Sequence, residues 1–268
     1  MTSQAQYAPL TSRALVAIEG PDWRTFLQGL ISQDVETMGP GELRFGALLT
    51  PQGKLLFDLF VLATETGCLL DVAADRQAAL IDRLTLYKLR AKVDIAASPL
   101  GVSGIWHAQA APGLIQDPRL KALGLRGYGQ TAPATAQLTD EAAYNTHRLS
   151  LGIPDPARDA EADKTYPIEA NFDLLNGIDF KKGCFVGQET TSRMKRRGLI
   201  KTRMLPIRFD GPQPAFGDEI LSGDLRAGTV LTGQAGQAMG LMRLDRLDGP
   251  LSLNDQPVTV VWPDWMAT

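Results

Sequence analysis

Histidine and cysteine are scarce in this chain: His107, His147, Cys68 and Cys184 are the whole supply in 268 residues. Neither histidine stands at a metal-ligand spacing from the other or from a cysteine, which argues against a structural zinc site. A single disulfide would add little to a chain this long, and cytosolic thiols stay reduced, so each cysteine reads as a free thiol. There is no GxSxG, no P-loop and no GxGxxG after a strand, which removes the nucleophile elbow and the common phosphate cradles. A Cys–His thiol enzyme needs only partners that meet in space, so it stays open, though both histidines have ordinary contexts. No apolar run approaches the roughly 18–20 residues needed to cross a bilayer. Met1 to Leu10 is polar, with no basic stretch leading into an apolar one, so the expectation is a cytoplasmic protein without a secretory leader. Net charge is only −3, so no bulk attraction to nucleic acid is expected, and no membrane association either.

The apolar fraction of 44% is enough for a substantial core, and the charged fraction of 21% is ordinary for a folded soluble domain. At 268 residues the length suggests about two domains. Residues 13–18 read as a strand, and Gly20-Pro21-Asp22 opens a helix whose Trp23, Phe26, Leu27 and Leu30 recur at helical spacing. Beyond the break at Gly39-Pro40-Gly41, residues 43–49 and 54–62 read as a hairpin around Thr50-Pro51-Gln52-Gly53. Residues 68–73 form a third strand, with Cys68 as core packing. Asp75 is the expected N-cap of a helix that carries Ala79, Leu80, Leu84 and Tyr87 on one face and ends near Arg90, before a strand at 92–96. Residues 108–135 are weakly patterned. A helix over 139–150, capped by Thr139 or Asp140, follows, and then a polar loop from Pro154 to Tyr166. From residue 201 five short strands (204–209, 219–221, 227–231, 238–243 and 258–262) alternate with turn residues, as in a small β-barrel.

Charge is unevenly placed. Residues 181–203 hold eight cations (Lys181, Lys182, Arg193, Lys195, Arg196, Arg197, Lys201, Arg203) against Glu189 alone, so the stretch carries +7 and the rest of the chain −10. Such a stripe is either a solvated face or the seat of one anionic ligand or partner. Inside it lies Lys181-Lys182-Gly183-Cys184-Phe185-Val186-Gly187-Gln188-Glu189. Flanking glycines leave a thiol approachable. Neighbouring cations favour thiolate, the form that attacks or ligates metal. A small buried residue in a turn is the plainer alternative.

Lys182 to Glu189 resembles the K-G-C-(F/Y)-x-G-Q-E signature of the YgfZ family, which includes mitochondrial cluster-assembly members. Further blocks are similar: Gly20-Pro21-Asp22 with Phe26-Leu27-Gln28-Gly29, Gly46-Ala47-Leu48 with Thr50 to Lys54, Tyr87 to Val93, Arg148 with Gly152-Ile153-Pro154, and Pro167-Ile168-Glu169-Ala170-Asn171. They run in order from about residue 13 to 262.

The resemblance implies an α+β fold of the glycine-cleavage T-protein (aminomethyltransferase, GcvT-like) type: a folate-binding body over 1–198 with two intertwined subdomains, and a C-terminal β-barrel over 201–268. Within the body, residues 44–100 would form one ferredoxin-like sheet–helix layer. It implies tetrahydrofolate, or another reduced folate, in a central pocket, with Glu169 on the pterin and Asn171, Lys182, Gln188, Arg196, Arg197 and Asp58 as further contacts. A carboxylate suits an aminopyrimidine edge because it accepts two parallel N–H bonds. Cys184 would be the essential thiol, or the ligand of a cluster held transiently if at all, and the partners iron–sulfur assembly proteins or client enzymes. One departure stands out: aminomethyltransferases carry adjacent acids where this chain has Phe57-Asp58. That speaks against methylene transfer, leaving three readings in order: an accessory factor for iron–sulfur enzymes rather than a classical enzyme, a folate-dependent aminomethyltransferase or demethylase, and a plain folate-binding scaffold.

Overall fold

The computed structural model describes residues 4–108, 110–198, 200–234 and 236–266, and of Arg197 the backbone alone. Two five-stranded sheets and a closed six-stranded barrel enclose a common core.

The first sheet places Leu43–Leu49, Leu55–Ala63, Gly67–Ala73, Arg13–Glu19 and Asp94–Ser98 side by side, all antiparallel. Successive side chains of a strand point to opposite faces. Phe57, Leu59 and Val61 therefore meet helices α1 (Trp23–Gln28) and α2 (Gln77–Lys88), through Trp23, Leu27, Leu80 and Leu84. The alternate positions, Phe60 and Leu62, face the common core, as does Leu55 beyond a register irregularity opposite Leu48 and Leu49, and there Phe45 stacks against Phe60 and Phe172 at 4.9 and 4.6 Å between ring centroids. With both faces covered, Leu55–Ala63 reads as an almost unbroken apolar run. The layer expected over 44–100 thus takes a strand from outside that range, Arg13–Glu19, which pairs with both Gly67–Ala73 and Asp94–Ser98. Asp75 is not a cap; it lies in a single 3-10 turn, Ala74–Arg76, ahead of α2.

The second sheet runs Gln137–Leu138, Gln6–Pro9, Val102–Trp106, Leu125–Tyr128, Leu114–Gln116. Two of these strands, Leu114–Gln116 and Leu125–Tyr128, fall in the stretch that reads as unpatterned, because they are only three and four residues long, and the sheet uses glycine where side chains crowd. A Cβ on Gly104 would lie 2.7 Å from the Tyr144 ring. Tyr144 belongs to α3 (Glu141–Ser150), capped by the Asp140 carboxylate accepting from the Ala143 amide at 2.9 Å. The Pro154–Tyr166 loop holds the short helix α4 (Pro156–Asp159), capped by Asp155.

The barrel orders Thr202–Phe209, Gln237–Arg243, Leu225–Gln234, Glu219–Ser222, Leu251–Leu253 and Gln256–Val260, and closes where Ile207 pairs Val260. The strand missed by pattern, Leu251–Leu253, is joined to its partner by Asn254-Asp255, both at positive φ (50° and 62°). That is the two-residue hairpin turn whose twist matches the strands.

The last helix, α5 (Gln188–Arg197), begins and ends on left-handed glycines, Gly187 and Gly198. Gly187, at φ 80°, abuts the first hairpin: an added Cβ would lie 2.6 Å from the Thr50 carbonyl oxygen and 2.9 Å from the Cα of Gly53, itself at φ 81°. Turn and helix start meet with no room for a side chain. Gly187→Ala is therefore expected to lose at least roughly 1–2 kcal/mol from the left-handed backbone alone, read as a lower urea midpoint. A variant as stable as the parent would mean that the two segments do not touch.

Candidate functional site

The segment carrying Cys184 is moored to the chain around α1. The Asp179 amide donates to the Ser32 carbonyl at 3.0 Å and the Val186 amide to Gly29 at 3.2 Å. The Asp179 carboxylate accepts from the amides of Lys181 and Lys182 at 2.7 and 3.2 Å. Lys182 then turns inward. Its ammonium donates to the carbonyls of Gln28, Ile31 and Gln33 at 2.8, 2.7 and 2.7 Å, one acceptor for each of its three protons. A helix C-terminus leaves carbonyls unpartnered and partly negative, and α1 ends at Gln28. Burial pulls the Lys182 ammonium down to about 8, against the pull of Asp34, Asp179 and Glu36. Phe185, on the other side of Cys184, is buried in the common core.

Between these two anchors Gly183 and Cys184 are exposed. An added Cβ at Gly183 would meet nothing, so this glycine leaves the thiol open as the sequence suggests, whereas Gly187 serves packing. Cys68 is fully buried in Gly67–Ala73, and burial pushes its thiol well above the ordinary value. Gln188 is the half-buried first residue of α5, and Arg196 is exposed, its Nε donating to the Ser192 carbonyl at 3.4 Å. The Arg197 side chain lies outside the described residues.

The loop that receives Lys182 is held by Asp34, a residue the sequence reading passed over. Burial works against its carboxylate, but hydrogen bonds from Thr37, Gln28 and Arg44 outweigh it and hold the group down to about 2. Gln28 Nε2 and Arg44 Nη1 donate to it at 2.8 and 2.9 Å. Only the resemblance of the Phe26–Gly29 block hinted at this loop.

The residues implied as folate contacts divide among other tasks. Both carboxylate oxygens of Glu169 are taken, one by the Tyr166 amide at 2.8 Å and one by the Thr202 hydroxyl. Asn171 is fully buried at φ 61°, donating to the Met204 carbonyl at 2.8 Å and accepting from Arg203 at 3.0 Å. These two seam the first barrel strand to the body. Asp58 lies in a third place, paired with Arg13 at 2.7 Å. Burial pushes the Asp58 carboxyl up against the pull of Arg13. Arg13 also binds Asp71 at 2.6 Å, Arg126 bridges Asp71 and Asp117, and Arg119 pairs Asp117 at 2.8 Å. The cavity among Arg13, Asp58, Arg119, Arg126 and Arg148 measures about 20 Å³. That is room for one water, far below the roughly 300–1,000 Å³ of small-molecule sites. As arranged here, these residues do not fit a pterin.

The family described as the CAF17 C-terminal beta-barrel domain matches residues 201–268. The chain is 31% identical to the iron-sulfur cluster assembly factor IBA57, mitochondrial, of Mus musculus, across 97% of this chain and 85% of that protein. The human counterpart is 29% identical with the same coverage. The IBA57 homolog of Neurospora crassa is 32% identical across 79% of this chain, which spans little more than half of that longer protein, 56%. Among solved structures, the glycine cleavage system aminomethyltransferase T from Bartonella henselae superposes with a TM-score of 0.79 over 98% of this chain and 87% of its own, at 16% identity. The fold is thus the aminomethyltransferase type with a closed six-stranded C-terminal barrel. The cytoplasmic expectation is overturned, because these relatives are named as mitochondrial proteins.

Two outcomes follow from the contacts. Glu169→Ala should cost on the order of 1–3 kcal/mol of stability by leaving the Tyr166 amide and Thr202 hydroxyl without partners. Unchanged denaturation with weakened tetrahydrofolate binding would instead return Glu169 to a ligand. The Asp34 contribution to stability is full above its ordinary value of 3.8 and is lost as pH falls through about 2. Asp34→Asn should lower stability at pH 7 and flatten the acid limb between about pH 4 and 2 in a denaturation series; an unaltered limb would rule the carboxylate out as its source.

Proposed function

The chain belongs to the family of iron–sulfur cluster assembly factors IBA57, and on that footing we propose that it is an accessory factor for assembling or repairing iron–sulfur enzymes, with Cys184 as its working thiol. The observation that carries this reading is the setting of the cysteine: exposed, yet fixed between a caged lysine and a buried phenylalanine. The Lys182 to Glu189 octamer of YgfZ-type proteins is here a mount that shows one thiol to solvent between the buried Lys182 and Phe185.

The chemistry asked of that thiol is ligation. Cluster irons are held by cysteine thiolates. A thiol presented on a rigid mount releases its proton to solvent and its sulfur bonds an iron of a cluster that a partner carries, displacing one of that iron's ligands. The cluster is cargo, passed between assembly proteins or client enzymes. Nothing in the centre of the fold favours the aminomethyltransferase reading, because the acid at the expected place, Asp58, is buried and clamped by Arg13.

Cys184→Ser should leave stability within about 0.5 kcal/mol of the parent, as for most exposed substitutions. It should nevertheless fail to restore the activity of an iron–sulfur reporter enzyme in cells lacking the protein. In the native protein Cys184 should react with a thiol probe while Cys68 reacts only on unfolding. Full complementation by the serine variant would take the thiol out of the function.

A further inference from the structure

Many cations of this chain are committed to the fold, and exposed ones without an ion pair among the described residues, such as Arg83, Arg90, Lys92, Lys121 and Arg208, lie scattered over the rest of it. Arg13, Arg44, Arg119, Arg126, Arg148 and Arg203 sit in ion pairs with buried or half-buried acids. Around the thiol the pattern changes. Lys181, Arg193, Lys195, Arg196 and Lys201 are all exposed, and none makes an ion pair among the described residues. They are gathered in space as well as in sequence. The Lys195 ammonium lies 3.9 Å from the centre of the Phe180 ring, so α5 doubles back along the segment that leads to Cys184. At 1.5 Å per residue the ten-residue helix is about 15 Å long. That is well inside the roughly 30 Å over which charges are felt at 0.01 M salt.

The same helix shows what kind of surface this is. Among its described side chains the exposed ones are Glu189, Arg193, Lys195 and Arg196, while Met194 packs against the common core and Thr191 is buried. Among the described residues of the helix no apolar side chain is exposed, so the helix offers lipid no apolar anchor. The remainder of the chain carries −10, which opposes a long polyanion such as nucleic acid beyond the stripe itself. A compact acidic protein surface meets both conditions.

We propose that the face formed by Lys181, Arg193, Lys195, Arg196 and Lys201 docks an acidic patch on the cluster-bearing partner and brings that cluster to Cys184. This rests on the reading of Cys184 as the working thiol and adds to it the sign and place of the partner's surface. The unpaired cations steer an anionic partner to the thiol, and long-range steering of this kind fades with salt.

The test needs no partner, because Cys184 itself reports the field. Its thiolate attacks a small disulfide, forming a mixed disulfide and releasing the other half as a thiolate. Second-order rates are measured with dianionic 5,5′-dithiobis(2-nitrobenzoate) and with cationic cystamine, each divided by the rate of 2-mercaptoethanol with the same reagent. At 10 mM ionic strength the normalised anionic rate should exceed the cationic one by about tenfold or more, within the range of electrostatic steering. The ratio should fall toward one by 0.5 M salt. In the variant R193E/K195E/R196E it should vanish or invert, and in the milder R193Q/R196Q, at exposed positions, it should shrink. A wild-type ratio near one at low salt overturns the proposal, as does a ratio that the charge variants leave unchanged. The two readings fail separately: a steep ratio with full complementation by C184S removes the working thiol but keeps the face, and a flat ratio with failed complementation does the reverse.

Discussion

One lysine organises the functional end of this molecule. Placing an ammonium out of water is unfavourable unless its protons find acceptors, and Lys182 finds three carbonyls left over where α1 ends and the chain turns back. A shorter or neutral side chain could not fill that set of acceptors. Because Lys182 is fixed, Gly183 and Cys184 are turned outward, and because Phe185 is in the core, the chain re-enters at once and starts α5 on Gly187. Exposure of the thiol is thus a consequence of burial on both sides of it.

The centre of the fold makes the opposite use of charge. Where the sequence resemblance implies a ligand pocket, this chain closes the space with Arg13, Arg119 and Arg126 against Asp58, Asp71 and Asp117. Each member is hydrogen-bonded, and no buried side-chain polar atom among the described residues lacks a partner. Such a network holds sheets in register while leaving no room for a substrate. Shared architecture with an aminomethyltransferase therefore says little about shared chemistry.

How much of this was legible in the sequence depended on distance along the chain. Local signals were readable: the hairpin around Thr50–Gly53, the Asp140 cap, the helix over 77–88 and a barrel after 201 all rest on residues within a few positions of one another. The short strand Leu251–Leu253 was missed although its Asn254-Asp255 turn was a usable cue. The site was legible only at the thiol itself. Lys182 reads as one more cation in a basic run, and nothing nearby says that it is caged by residues 149–154 positions away. Glu169 and Asn171 sit in a block that resembles a folate contact, but the choice between ligand and barrel seam is made by Thr202, Arg203 and Met204, more than thirty residues on.

That separation bears on how the protein comes into being. A contact between segments so far apart closes late, since the chain must first surrender the freedom of the loop between them. During synthesis the carbonyls of Gln28, Ile31 and Gln33 are bonded to water until residue 182 has been made and has folded back. The thiol acquires its mount only when both sheets have formed around Phe185 and the hairpin has met Gly187. A partly made or partly unfolded chain carries the same cysteine as an ordinary, unmounted thiol, so competence to handle a cluster arrives together with completion of the body.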